Sequence, residues 1–241
     1  MPRGRKILLG LICIVVGVYS CVRITFPITD INYRLTVEAV TPDGPKQASG
    51  VIQISIGSQF NMNGGGRRGD IDVTGEAAYL DLGRGKNLFV TLTNNGSGRP
   101  SRSMVLDGAY NAIWLPIRVF QFKWDWGNER ELERQARAAK VAGPKDVPLI
   151  ALPTLVTFRD LTDPMSVELI DPRDISAAFG SSYALTKAIL ELTDDPPTVG
   201  IERTLNWVNR INGGYLHGGS TSRGSPYGLS GLAFKSEGFS P

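Results

Sequence analysis

Beyond residue 21 this sequence contains no cysteine. Its two cysteines, Cys13 and Cys21, both lie in an apolar N-terminal stretch. The remainder is expected to fold without a disulfide and to carry no thiol chemistry. Histidine is scarcer still. His217 is the only one, and it sits inside Gly214-Tyr-Leu-His-Gly-Gly219. A Ser-His-Asp hydrolase needs an imidazole held in one orientation, and a glycine-flanked histidine lacks that support. The usual nitrogen and sulfur ligands of zinc are missing with it. No G-x-x-x-x-G-K-[ST] phosphate loop occurs, and Gly64 to Gly66 do not lead from a buried strand into a helix. The body also lacks a surplus of positive charge. Lys and Arg total 26 and Asp and Glu 23, and Arg3, Arg5 and Lys6 account for the whole difference. A nucleic-acid-binding body would need its own excess of cations, so nucleic acid is not an expected partner.

What is present begins with those three basic residues. Ile7 to Val22 follows them without a charge, and Arg23 closes the run. A basic leader before an apolar core is the pattern of export or membrane insertion. As a helix the run spans about 24 Å, short for a hydrocarbon core of about 30 Å. Arg23 can snorkel, and Ile24 and Phe26 extend the apolar surface. Three fates stay open for residues 1–29. The segment is an uncleaved anchor through residues 7–22. Or it is a signal peptide, although Tyr19 between Val18 and Ser20 fits a cleavage site poorly. Or Cys21 carries a lipid, in which case Tyr19 stands where a small residue is wanted. The charges preceding the run place the N-terminus in the cytoplasm and the body in the periplasm of a single-pass inner-membrane protein.

The body, residues 30–216, reads as α+β with strands first. Tyr33, Leu35, Val37 and Ala39 alternate with polar residues, Thr41-Pro-Asp-Gly44 is turn chemistry, and Ile52, Ile54 and Ile56 alternate again. A hairpin over Tyr33–Gly57 follows. A second joins Ala78, Leu80 and Leu82 to Leu88, Val90 and Leu92 through Gly83-Arg-Gly-Lys86. Asn61 to Gly69 and Asn94 to Pro100 read as loops. Phe120, Phe122, Trp124 and Trp126 fall on one face of an extended segment. Three helices are expected. The first starts at an Asn128 N-cap with Glu131 in capping-box position and runs to about Ala142. The second lies between Asp171-Pro172 and Gly180, and the third carries Ile201, Leu205 and Val208. Leu149–Phe158 is a strand interrupted at Pro153, and Ala184–Thr193 is another. From Gly213 onward eight glycines and six serines occupy 29 residues, so residues 217–241 are expected to be a disordered tail.

Several stretches carry a family resemblance. Tyr33-Arg-Leu-Thr-Val-Glu-Ala-Val-Thr-Pro-Asp-Gly44 and Ser49-Gly-Val-Ile52 form its opening. Leu152-Pro-Thr-Leu-Val-Thr-Phe-Arg-Asp-Leu161, Asp163-Pro164, Asp171-Pro172, Ala177-Ala-Phe-Gly180, Leu192-Thr-Asp-Asp-Pro196 and Gly200-Ile-Glu-Arg203 follow in order. In these motifs the chain resembles a family of uncharacterised, membrane-tethered bacterial proteins. The resemblance implies tethering but brings no activity and no functional residue. The extension after Leu216 departs from it.

Few residue sets suggest chemistry. Asp70, Asp72, Thr74, Gly75 and Asp81 match the spacing of a calcium loop, but Thr74 and Asp81 are weak ligands for their positions and flanking helices are absent. The alternative is an acidic loop-to-strand transition with no cofactor. Arg68-Gly-Asp70 and Asn95-Gly-Ser97 are short matches near chance. The aspartates at 160, 163, 171, 174, 194 and 195 cluster late, and a hydrolase needs only two carboxylates, yet most of them precede or follow prolines as turn residues do. The aromatic row is core packing, a ligand-stacking face or a membrane-interface belt. The expected function is a membrane-tethered envelope protein, a non-catalytic binding or structural module with an envelope partner. The alternative is a periplasmic hydrolase using paired carboxylates.

Overall fold

The computed structural model describes Ile12 and residues 28–61, 66–94, 111–124, 128–211 and 229–237, with backbone alone over 58–61 and 66–70. The fold is α+β and, among the described residues, ten strands in two antiparallel sheets accompany three helices after Ile12. Ten strands follow in chain order: β1 (Ile28–Thr41), β2 (Gly44–Asn61), β3 (Gly66–Glu76), β4 (Ala78–Gly83), β5 (Lys86–Val90), β6 (Lys145–Asp146), β7 (Leu155–Phe158), β8 (Val167–Ile170), β9 (Ala184–Leu192) and β10 (Lys235–Glu237). The helices are α1 (Trp114–Val119), α2 (Glu129–Ala142) and α3 (Ser176–Phe179). The larger sheet has the order β10-β3-β2-β1-β9-β6, and the smaller β4-β5-β7-β8. Ile7 to Val22, Cys21 and Trp126 lie outside the described residues, Ile12 excepted. Among the described residues no helix is long and apolar enough to cross a membrane.

The hydrophobic alternation of β1 builds the large sheet. Ile31, Tyr33, Leu35, Val37 and Ala39 are each at most 2% exposed. Register carries the same face across the neighbours: Ile31 lies opposite Ile54, Tyr33 between Ile52 and Leu192, and Leu35 between Gly50 and Leu190. One face is thus apolar and the other polar, as period-two patterning requires. Gly75, at φ +145°, lies opposite Ile52; a Cβ there would stand 3.1 Å from the Val51 carbonyl oxygen. The chain leaves the large sheet after Glu76 and enters the small one at Ala78.

The central strands of the small sheet, β5 and β7, are buried on both sides. Along β5, Leu88 and Val90 face a core shared with the large sheet, while Phe89 faces a second core. On β7, Leu155 joins the first core, and Val156 and Phe158 the second. Burial on both sides makes β7 a nearly continuous apolar run, broken only by Thr157, whereas β5 is still marked by Leu88, Val90 and Leu92 after its turn. Asn87 extends the β5–β7 pairing with its side chain. Its Nδ2 donates to the Phe158 carbonyl at 2.8 Å, and its Oδ1 accepts from the Phe158 amide at 2.9 Å.

Several sequence expectations are corrected. The stretch Asn61 to Gly69 is mostly strand, because β2 runs to Asn61 and β3 starts at Gly66. Main-chain pairing needs no side chain, so glycine weakens such a ladder without forbidding it. The aromatic row is not an extended strand. It follows α1 and turns at Phe120–Gln121, with Gln121 at φ +58°. Asn128 caps α2 by position but makes no side-chain cap bond, and Glu131 instead pairs with Arg134 at 2.6 Å. The helix after Asp171 shrinks to α3, and Ile201–Arg203 is a single 3-10 turn. The 30–216 boundary also moves, since β1 begins at Ile28.

The largest correction concerns residues 229–237 of the expected tail; residues 217–228 and 238–241 lie outside the described residues. Leu229, Ala233 and Phe234 are fully buried in the second core. Phe234 meets the rings of Phe89, Phe158 and Trp207 at centroid distances of 6.0, 5.6 and 5.7 Å. Backbone bonds fix the segment from both sides, Ala77 N donating to Phe234 O at 2.9 Å and Leu92 N to Ala233 O at 2.8 Å. A Cβ on Gly231 would sit 2.7 Å from the Ile211 carbonyl oxygen, so only glycine fits there without rearrangement. Glycine- and serine-rich composition suggested disorder, yet a few apolar residues suffice when a preformed aromatic pocket receives them. Phe234→Ala should therefore cost about 3–5 kcal/mol. Chemical denaturation would read that loss, and a change under about 1 kcal/mol would show the tail to be dispensable.

Candidate functional site

The sequence-predicted residues separate into three places. Asp70, Asp72 and Thr74 occupy alternate positions of β3, opposite Gly57, Ser55 and Gln53. Asp81 is on β4 of the other sheet, where its Oδ1 accepts from the Gly83 amide at 2.8 Å. An extended strand spreads such oxygens along its length, whereas a calcium loop winds them round one centre. Among the described residues no three His, Cys, Asp or Glu side chains gather as a metal group. Each of the late aspartates is tied to its own turn or to a neighbouring cation. Asp160 accepts from Thr162, Asp163 from Met165, Asp171 from Arg173 and Asp174 from Ser176; Asp194 pairs with Lys140 and Asp195 with Arg34. The bidentate Arg173 holds the Asp171 carboxyl down at about 2.

The aromatic row does contribute to a site. Phe120 and Phe122 stack at 5.6 Å with 15° between their planes. They floor an open hollow of about 320 Å³ whose other walls are Arg134, Gln135, Ala138, Ala139 and Ala142 of α2 and Lys145 of β6. Trp124 turns away and packs on Trp114 at 5.8 Å. The hollow exists because α2 presents small side chains at 138, 139 and 142; Phe120 and Phe122 belong to the core and, at 8% and 9% exposed, show it only a small part of their rings. Its geometry is fixed from several directions. Gln135 clasps the main chain of the aromatic segment, accepting from the Lys123 amide and donating to the Lys123 carbonyl, both at 2.8 Å. The Tyr33 hydroxyl donates to the Ala112 carbonyl at 2.8 Å and so anchors the start of this region to β1. Thr29 Oγ1 donates to the Glu129 carbonyl at 2.9 Å and places the start of α2.

The rim is cationic. Lys145 Nζ stands 5.3 Å from the centre of the Phe120 ring, a cation–π distance. Arg134 is engaged in a two-bond pair with Glu131. An aromatic floor, alanine walls and an ammonium at the edge suit a flat apolar group that carries an acid. Sequence reading found the two phenylalanines but missed Gln135, Lys145 and the alanines. The signal was there in the spacing of small residues on α2, once the helix was known to face the rings.

A second unusual residue was also missed. Glu76 ends β3 and is only 2% exposed. Its Oε2 accepts from the Ile201 amide at 2.8 Å and so caps the 3-10 turn of Gly200-Ile-Glu-Arg203. Among the described residues its Oε1 has no hydrogen-bond partner. Burial raises its pKa above the ordinary carboxylate range; the Ile201 and Gly200 amides oppose the shift, Glu202 reinforces it and Lys235 opposes it. Comparison of the chain with protein-family models, with curated proteins and with solved structures finds no match.

The sign of the Glu76 effect is definite. A carboxyl whose folded pKa is raised binds its proton more tightly when folded. Its stabilising contribution is complete below the unfolded value and is lost as pH rises through the folded value. Glu76→Gln should therefore gain stability relative to the parent as pH rises from the ordinary carboxylate range towards neutrality. Thermal melts of both proteins across that range would show the gap widening with pH. A gap independent of pH would contradict the assignment.

Proposed function

We propose that this chain is a membrane-tethered, non-catalytic binding module of a bacterial envelope. On this reading the leader holds it at the inner membrane, as a helix or through a lipid on Cys21, with the body in the periplasm. The supporting observation is the hollow over Phe120 and Phe122. It is preformed, open to solvent and bordered by Lys145, and it offers recognition without a nucleophile or a paired acid and base. A small aromatic or apolar acid, free or at the end of a partner protein's side chain, has the matching chemistry.

The paired-carboxylate hydrolase finds its nearest support at Glu76 and Glu202. Glu76 is buried, has a raised pKa and lies within electrostatic reach of Glu202. Yet it is sealed from solvent and already employed as a cap on the Ile201 amide, while Glu202 pairs with Lys235 at 3.6 Å. A substrate would have to displace that cap, so binding is the better reading.

The chain in nanodiscs should bind 2-naphthoate saturably, as read by calorimetry. Ala138 is exposed on α2, and Ala138→Trp would fill the hollow from its rim without disturbing the core. Partition into lipid is common to both proteins, so their difference isolates the hollow. Binding at least about tenfold weaker in the variant is expected, corresponding to about 1.4 kcal/mol. Equal binding by the two proteins would remove the hollow from the account.

A further inference from the structure

The β2–β3 hairpin runs past the end of its neighbour. Ile28, the first residue of β1, pairs with Gly57; β2 then continues through Ser58, Gln59, Phe60 and Asn61, each paired with β3. At about 3.3 Å per residue this hairpin overshoots β1 by about 13 Å. The overshoot is at the end of the sheet where the chain arrives from the leader. Arg23, which closes the apolar run, is five residues before Ile28 and so within about 17 Å of it even when the linker is fully extended. These two lengths differ by only about 4 Å. With a linker shorter than about 13 Å the hairpin end reaches beyond the level of Arg23.

The register places cations at the far end of that hairpin. Arg67 lies opposite Phe60 and Arg68 opposite Gln59. The acidic residues of the same sheet end begin farther in, with Asp70 opposite Gly57 and both Asp30 and Asp72 opposite Ser55. At this end of the sheet the two arginines are thus outermost and the three aspartates follow behind them. We propose that the end of the β2–β3 hairpin docks, through Arg67 and Arg68, on the anionic headgroups of the bilayer that holds the leader. This rests on the tethered reading above. Guanidinium groups match phosphate geometry. Each basic residue at an anionic surface contributes about a fivefold preference, and two give on the order of thirtyfold. Tether and hairpin together make two points of attachment, which set the direction of the large sheet relative to the membrane. The hollow is then held at a defined height. Lys145 pairs with Leu190, which pairs with Leu35, seven residues or about 23 Å along β1 from Ile28.

Hydrogen–deuterium exchange on the full chain tests this, in nanodiscs of phosphatidylcholine alone and in discs that include phosphatidylglycerol. Amides of Ser58–Asn61 and Gly66–Asp70 should exchange about an order of magnitude more slowly with phosphatidylglycerol present. The slowing should vanish in Arg67→Glu/Arg68→Glu and, for the unaltered chain, in high salt, with exchange in β1 and β5 unchanged. The salt arm keeps the test valid should the double variant fold poorly. Equal exchange in the two lipids, or slowing that survives high salt, would overturn the docking. Flotation with phosphatidylcholine vesicles in high salt separates the two failures. A chain that does not float has no anchor, and the docking falls with it. A chain that floats but shows a lipid-insensitive hairpin loses the docking alone.

Discussion

Everything in this molecule leans on the buried face of β1. Fourteen residues of one strand keep a strict two-residue period, and every inward side chain from Ile31 to Ala39 is almost wholly removed from water. Burying each such aliphatic or aromatic side chain contributes about 1.5–3 kcal/mol before chain entropy is counted. A one-residue slip against β2 or β9 would turn that whole face outward, so register and burial enforce each other. The same face fixes the surroundings of the hollow. Thr29 and Tyr33 lie on it, and their hydroxyls hold the start of α2 and the carbonyl of Ala112. Both hydroxyls are buried, and each of these bonds would cost its full desolvation if left unmade.

The second organising feature is a sheet with two apolar faces. Because β5 and β7 are covered on both sides, the small sheet needs a layer outside it. That layer is drawn from distant parts of the chain: the Ile201–Ile211 turns and the 229–234 segment. Four aromatic rings, Phe89, Phe158, Trp207 and Phe234, meet there edge to face or tilted, at spacings of 5.5 to 6.0 Å. Trp207 also satisfies its indole N–H on the Leu161 carbonyl at 2.9 Å. Glu76 links this layer to the large sheet by capping the Ile201 turn, which explains why a carboxylate is tolerated at so dry a position.

Sequence periodicity revealed what depends on local pattern. The hairpins β1–β2 and β4–β5 were readable because turn residues sit between alternating runs. So was α2, whose expected span from Asn128 to about Ala142 matches Glu129–Ala142 although the capping box is not formed. What depends on contacts far apart in sequence was hidden. Nothing near Phe234 announces the pocket that receives it, since its partners lie at 89, 158 and 207. Phe120 and Phe122 alternate as strand residues do, yet a turn at Gln121 with positive φ sets them side by side above α2. Glycine-rich composition was misleading twice, at 61–69 and at 229–237, because it measures the entropy cost of ordering and not the burial or pairing that offsets it. Two of the eight residues lining the candidate site, Phe120 and Phe122, were visible as aromatic residues; the six on α2 and β6 became visible only with the packing.

β1 is the element on which the remaining strands and the hollow are assembled. Native-state hydrogen exchange across a denaturant series tests that most directly. Amides of Tyr33, Leu35 and Val37 should exchange only through global unfolding, with the same opening free energy and denaturant dependence as those of Leu88 to Val90 in β5. If β1 instead opened at lower free energy while β5 stayed protected, the small sheet and its aromatic layer would be the foundation, and β1 an element added to it.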